Sequence, residues 1–253
     1  MIDYARLMAQ AALLRKRLGE DSDSPIDVFA MAQNIDGLTI VYYPLGDNLS
    51  GMCIKGQDGN NVIAINSSMT LGRQRFSLAH EFYHLYFDDS MISVCAKRIN
   101  SGKEIERSAD MFASYFLMPE PSLLIQAEKL SEKNTDKQLS LNDVIRIEQY
   151  FGVSHQSAVY RLMHTSFLDE ITGNDFLNEA VRSKAESLGY SSNLYMPSPD
   201  AKKYMTYGNY INQAEQVLSK GLVSTGKYEQ LLLDAFRADL VYGSDDESGD
   251  VID

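Results

Sequence analysis

Leu78-Ala79-His80-Glu81-Phe82-Tyr83-His84-Leu85 decides the reading of this chain. It lies inside a run from Thr70 to Phe87 whose spacing predicts a helix. On a helix, positions i and i+4 share a face about one turn apart, so the imidazoles of His80 and His84 can converge on one ion. Neutral imidazole is a good zinc ligand. Glu81 sits one step round the helix. It can reach a water beside the ion without ligating the ion, which suits a general base. Leu78, Phe82 and Leu85 would bury the rest of the helix and hold that face rigid.

Two imidazoles do not complete a catalytic zinc site, which usually takes three protein ligands and keeps one position open. Downstream, Glu104-Ile105-Glu106-Arg107-Ser108-Ala109-Asp110 supplies a second i, i+4 pair, Glu106 and Asp110, on a predicted helix over 105–118. One carboxylate could ligate the metal while the other holds a histidine N–H. The same spacing also reads as a solvated acidic face near a helix start, where acids favour the dipole. Glu104 is a rival ligand, with Asp88 and Asp89 behind it. Cys95 could offer a thiolate, although Val94 and Ala96 around it read as packing. A tetrahedral oxyanion would need a donor beyond the metal. Tyr83, Arg73, Arg75, His155 and His164 are the candidates, and the arginines also read as partners for acids near the helix entrance.

Arg73-Gln-Arg-Phe-Ser-Leu-Ala-His-Glu-Phe-Tyr-His84, followed by Glu106-Arg-Ser-Ala-Asp-Met-Phe-Ala-Ser-Tyr-Phe-Leu-Met-Pro119, resembles the ImmA/IrrE family of bacterial and phage metallopeptidases. The resemblance implies a gluzincin-like site. His80, His84 and Glu106 would be the zinc ligands, one ion per chain, with Glu81 the base and Asp110 the carboxylate behind a histidine. It departs from the family at Tyr83, often Gly, and at Ser108, often an acid. It further implies a regulatory endopeptidase acting on a helix-turn-helix repressor encoded beside it. A non-proteolytic anti-repressor and the toxin half of a toxin–antitoxin pair are the competing readings. Some members carry their own DNA-binding domain. About 24 residues precede the peptidase unit here, too few for one, so the repressor is expected to be a separate chain.

Working outward, residues 3–18 read as a helix, Ser24-Pro25 as the start of a second, and 38–43 as a strand. Residues 52–55 and 61–66 flank Gly56-Gln57-Asp58-Gly59, a hairpin signal. Further helices are predicted over 123–130, 141–151, 156–163, from 165 to about 188, at 210–219 and at 227–241, with 189–208 breaking the pattern. The helix, glycine turn and helix over 141–163 look like a DNA-binding pair. Their second helix carries only Arg161 as a basic residue, so they read as packing. The expected class is α+β, a small antiparallel sheet with a zincin-type HExxH helix and further helices, plus an all-helical C-terminal part. The units expected are an N-terminal helix at 1–24, the peptidase domain at 25–165, a helical region at 166–243 and an acidic disordered tail at 244–253.

The 253 residues are 44% hydrophobic with ten Phe and fifteen Tyr, enough apolar surface to offset ordering entropy. The net charge of −12 disfavours generic binding to phosphate backbones. Five acids in 244–253 account for part of it and leave about −7 elsewhere. No apolar run approaches a membrane span, and Arg6, Arg15, Lys16 and Arg17 interrupt any signal-like pattern near the N-terminus. Cys53 and Cys95 read as reduced thiols of a cytoplasmic protein. No membrane contact and no direct DNA contact are expected.

Overall fold

A computed structural model of the chain describes residues 2–97, 99, 103–134 and 138–243. The acidic tail expected at 244–253 lies outside the described residues. The first helix, α1 (Tyr4–Arg17), buries Leu7, Ala11 and Leu14. The second, α2 (Val28–Gln33), begins at Asp27 and not at Ser24, because the Asp27 carboxylate accepts from the amides of Phe29 and Ala30. The Ser24 amide is instead taken by Asp21.

The β-branched run Leu38–Tyr43 forms β1. β2 (Leu49–Ile54) and β3 (Asn61–Asn66) are the two arms of the expected hairpin. With β4 (Ile92–Ala96) and β5 (Met205–Gly208) they make a five-stranded sheet in the order β4-β2-β3-β1-β5. The sheet is mostly antiparallel, but the hairpin returns β3 beside β1 in the same direction. Leu38 lies opposite Asn61 and Tyr43 opposite Asn66 in a parallel pair. The C-terminal part is helical apart from β5, which pairs antiparallel with β1 from Thr39–Gly208 to Tyr42–Met205.

The expected motif helix is α3 (Leu71–Phe87), and every residue from Gly72 to His84 except Arg75 is buried. It lies across the inner face of the sheet and against α4 (Glu104–Leu117), which in turn packs on α1. Leu38, Ile40, Ile63 and Ile65 from the sheet meet Phe76, Leu78, Ala79 and Phe82 of α3 and Phe112, Phe116 and Leu117 of α4 in one core. Phe82 meets Phe116 edge-on at 5.8 Å, and Phe112 stacks on Phe116 at 5.6 Å.

Pro121 stands in the first turn of α5 (Glu120–Ser131), where its missing N–H costs nothing. α6 (Leu141–Phe151) and α7 (His155–His164), the pair with DNA-binding looks, bury Val144, Ile147, Phe151, Ala158, Val159 and Leu162 in the same core. Arg161 is inside, bonded to Glu120 and lying 4.2 Å over the Tyr115 ring. The helical stretch expected after Thr165 is two pieces, α8 (Glu170–Leu177) and α9 (Val181–Ser187). α10 (Asn209–Ser219) follows β5 directly. The helix expected at 227–241 is also two, α11 (Thr225–Asp234) and α12 (Ala238–Tyr242), parted at Phe236 with φ 59°. No helix among the described residues is long and apolar enough to cross a membrane.

Candidate metal centre

A helix buried this completely should be apolar all round. α3 instead buries Gln74, Ser77, His80, Glu81 and His84, and a buried polar group needs a partner. For the two histidines the partners are carboxylates. The His80 Nδ1–H donates to Asp110 Oδ1 at 2.9 Å, and the His84 Nδ1–H donates to Asp88 Oδ2 at 2.8 Å. Both bonds engage the Nδ1 side of each ring and turn the two Nε2 atoms towards one point.

At that point His80 Nε2 and His84 Nε2 stand 3.3 Å apart. Glu106 Oε2 is 3.4 Å from His80 Nε2, and Oε1 is 3.6 Å from His84 Nε2. A tetrahedral ion with bonds of about 2.0–2.1 Å sets its donors roughly 3.3–3.4 Å apart. The three side chains are thus spaced close to what a metal needs. Cys95 Sγ joins them, all four donor atoms lying within 4.8 Å of one another.

The electrostatics follow. Burial alone would lower the His80 pKa, but bonds to Asp110, Cys95 and Glu106 outweigh it and hold the imidazole well above its usual value. The bond from His80 holds Glu106 below the usual carboxylate range. Glu81 is fully buried, and desolvation pushes its carboxyl up, although His80 and His84 pull against it. Its Oε2 accepts from Ser93 Oγ at 3.2 Å, and its Oε1 has no hydrogen-bond partner among the described residues. Gly51 on β2 makes room for it: a Cβ there would stand 2.8 Å from Glu81 Oε1.

The structure brings together His80, Glu81, His84, Glu106 and Asp110. Asp88 and Cys95, named only as lesser candidates, are there too, but the proposed oxyanion donors and Glu104 and Asp89 are not. Tyr83 packs between Phe87 and Phe112. Arg73 donates to Lys97 O at 2.5 Å and lies over Phe76. Arg75 reaches the carbonyls of Gly152 and Ile26, holding the α6–α7 turn. His155 sits between Glu148 and Phe176 O, and His164 lies beside Arg161 and Tyr4. Glu104 and Asp89 are exposed.

Sequence reasoning underrated Asp88 and Cys95 and missed Ser93 and Gly51. For Asp88 the signal was there, since His84 and Asp88 are themselves i, i+4. For Ser93 and Cys95 it was hidden by their strand. β4 turns Ile92 and Val94 to solvent and Ser93 and Cys95 inward, so the apolar alternation reads inside out.

Residues 34–163 match the model of the IrrE N-terminal-like domain. The radiation response metalloprotease IrrE of Deinococcus deserti is 26% identical over 196 residues, covering 69% of this chain. The chain spans 65% of that relative's length. Among solved structures, a Mycobacterium tuberculosis transcriptional regulator overlaps at a TM-score of 0.41 and 18% identity, over 62% of this chain and 46% of its own. The family match covers just over half of the 253 residues and contains both helices of the cluster, as the two motifs led us to expect, and by it this chain belongs to the IrrE N-terminal-like family of peptidases.

Proposed function

We propose that the chain is a zinc-dependent regulatory endopeptidase that cuts a protein partner, a helix-turn-helix repressor. One observation carries the peptidase reading: a buried glutamate with an unpartnered oxygen stands beside three donors spaced for a tetrahedral ion. A purely structural site has no use for that group. His80, His84 and Glu106 would hold the metal, oriented by Asp110 and Asp88. When bound, zinc supplies a Lewis acid that polarises a carbonyl and acidifies water.

The protein's own steps are proton transfers and positioning. Glu81 Oε1 takes a proton from the attacking water and returns it to the leaving nitrogen. Burial pushes its carboxyl up, which makes it a stronger proton acceptor than a carboxylate in water. Ser93 fixes the other oxygen. The outer edge of β4 has no strand partner among the described residues, so an extended peptide can add to it and lie across the site. The family resemblance supports the repressor as partner, and the similarity to a radiation response metalloprotease supports a regulatory role.

The test coexpresses the chain, wild type or Glu81→Gln, with the repressor encoded beside it and follows repressor length and complex formation. Wild type should cut. The variant should keep its metal and hold the repressor intact, with cleavage down by about 10² to 10⁴-fold. If both relieve repression equally with the repressor uncut, the chain is a sequestering anti-repressor. Growth arrest with the repressor untouched would instead mark a toxin.

A further inference from the structure

An edge strand that shows Ile92 and Val94 to water while burying a serine and a cysteine has its polarity reversed for packing. The reversal makes sense only if its inner face meets something polar. Ser93 meets Glu81. Cys95, fully buried, has its Sγ within 4.8 Å of the donor atoms of His80, His84 and Glu106.

We infer that Cys95 is a fourth, removable metal ligand, so that the resting site is a closed His80-His84-Glu106-Cys95 tetrahedron. The inference rests on the metallopeptidase reading and adds the resting state of that site. Thiolate is among the preferred zinc ligands, at about 2.3 Å, and a fourth protein donor is what separates closed zinc sites from open ones. The thiol must withdraw before Glu81 can serve a water. Among the described residues β4 is an edge strand whose one strand partner is β2.

The neighbouring Cys53 does not compete for this thiol. Gly51 lies opposite Cys95 and Cys53 opposite Ser93, so the two cysteines are diagonal neighbours. Diagonal Cα atoms stand about 7–8 Å apart, beyond ordinary disulfide reach.

Zinc is spectroscopically silent, so the test loads the full chain with cobalt(II). Wild type should show a sulfur-to-cobalt charge-transfer band in the near ultraviolet. Cys53→Ala, which leaves Cys95 as the sole thiol, should keep the band. Cys95→Ala should lose it and bind cobalt at least about 10-fold more weakly, no less than the loss of a supporting partner costs. Cobalt bound by wild type without the band overturns the fourth ligand and leaves the peptidase reading standing. A band that survives in Cys95→Ala, or vanishes in Cys53→Ala, also overturns it. A wild-type chain that binds no cobalt overturns both. If Cys95→Ala does not fold, wild type and Cys53→Ala still decide between these outcomes.

Discussion

His80 and His84 are each backed by a different carboxylate, and the two should not be equivalent. Asp110 sits on α4 and ties His80 to a second helix, while Asp88 caps the end of the histidines' own helix. Removing either should weaken metal binding by about 10 to 100-fold, short of the complete loss expected of a ligand. A competition titration of Asp110→Ala and Asp88→Ala against a chelator checks this. A loss as complete as that of His80→Ala would make Asp110 a ligand. Asp110 has a second consequence. With His80 held well above its ordinary pKa, the metal-free site favours a proton on it. That charge contributes stability below the unfolded histidine pKa and loses it as pH rises through the raised folded value. Metal needs the neutral ring and, where Cys95 ligates, its thiolate, so binding should release protons and tighten as pH rises. Calorimetry in two buffers of different ionisation enthalpy reads those protons. In Asp110→Ala the largest raising influence is gone, leaving Cys95 and Glu106 against burial, so the release should shrink. An unchanged proton count would show that Asp110 does not set the titration of His80. Glu106 works in the opposite sense: held low by His80, it stabilises the metal-free fold above the ordinary carboxylate pKa and stops doing so as pH falls through its own.

At the scale of elements, what could be read in advance follows how strongly a segment declares its own period. α3, β1 and β3 were legible to the residue or nearly so, since each combines length or β-branching with clear stops. β4 was not, for its exposed isoleucine and valine invert the usual pattern. β5 was not either. Met205-Thr-Tyr-Gly208 is four residues long and follows two prolines, and only pairing with β1 makes it a strand. The site divides the same way. The histidines, Glu81, Glu106 and Asp110 lie on helices with regular spacing, whereas Ser93, Cys95 and Gly51 arrive by cross-strand register, which one sequence does not display. β5 also turns on one residue. Gly208 has φ 85° and ψ −139°, a region almost closed to side chains, and a Cβ there would stand 2.4 Å from Leu38 O. Gly208→Ala must therefore strain or part the β1–β5 pair, costing about 1–3 kcal/mol. Urea unfolding checks it. An unshifted midpoint would mean that the strand pair contributes nothing to global stability.

The metal-bearing helix is anchored by parts of the chain far from it in sequence. The first turn of an α-helix leaves amides without partners, and in α3 the Leu71 amide donates to Met196 O at 2.7 Å, beside a bridge between Thr70 and Pro197. Ser198 Oγ donates to Gln74 Oε1, and Ser67 Oγ to Lys203 O. The stretch 189–208, read in sequence as a mere interruption, is thus seated on the entrance of the helix that carries the site. On the opposite side, α1 lays Leu7, Ala11 and Leu14 against α4, and Arg15, buried beneath it, donates to Phe116 O at 2.6 Å and to the carbonyls of Asp21 and Ser24. The partners in these contacts, from α1 and from 196–203, lie outside the family-matched residues 34–163. Cutting the chain to that span would expose Ile40 and Phe116, remove Leu7 and Leu14, each worth about 1.5–3 kcal/mol of burial, and leave the start of α3 uncapped. Such losses reach the whole stability of a typical domain, about 5–15 kcal/mol. The 34–163 fragment should therefore be insoluble, or else lack near-ultraviolet dichroism and bind zinc poorly, whereas residues 1–243 should unfold cooperatively and bind one zinc. A fragment that melts cooperatively and holds zinc as tightly as residues 1–243 would show that the flanking helices and β5 are accessories, and that the site is built by the matched span alone.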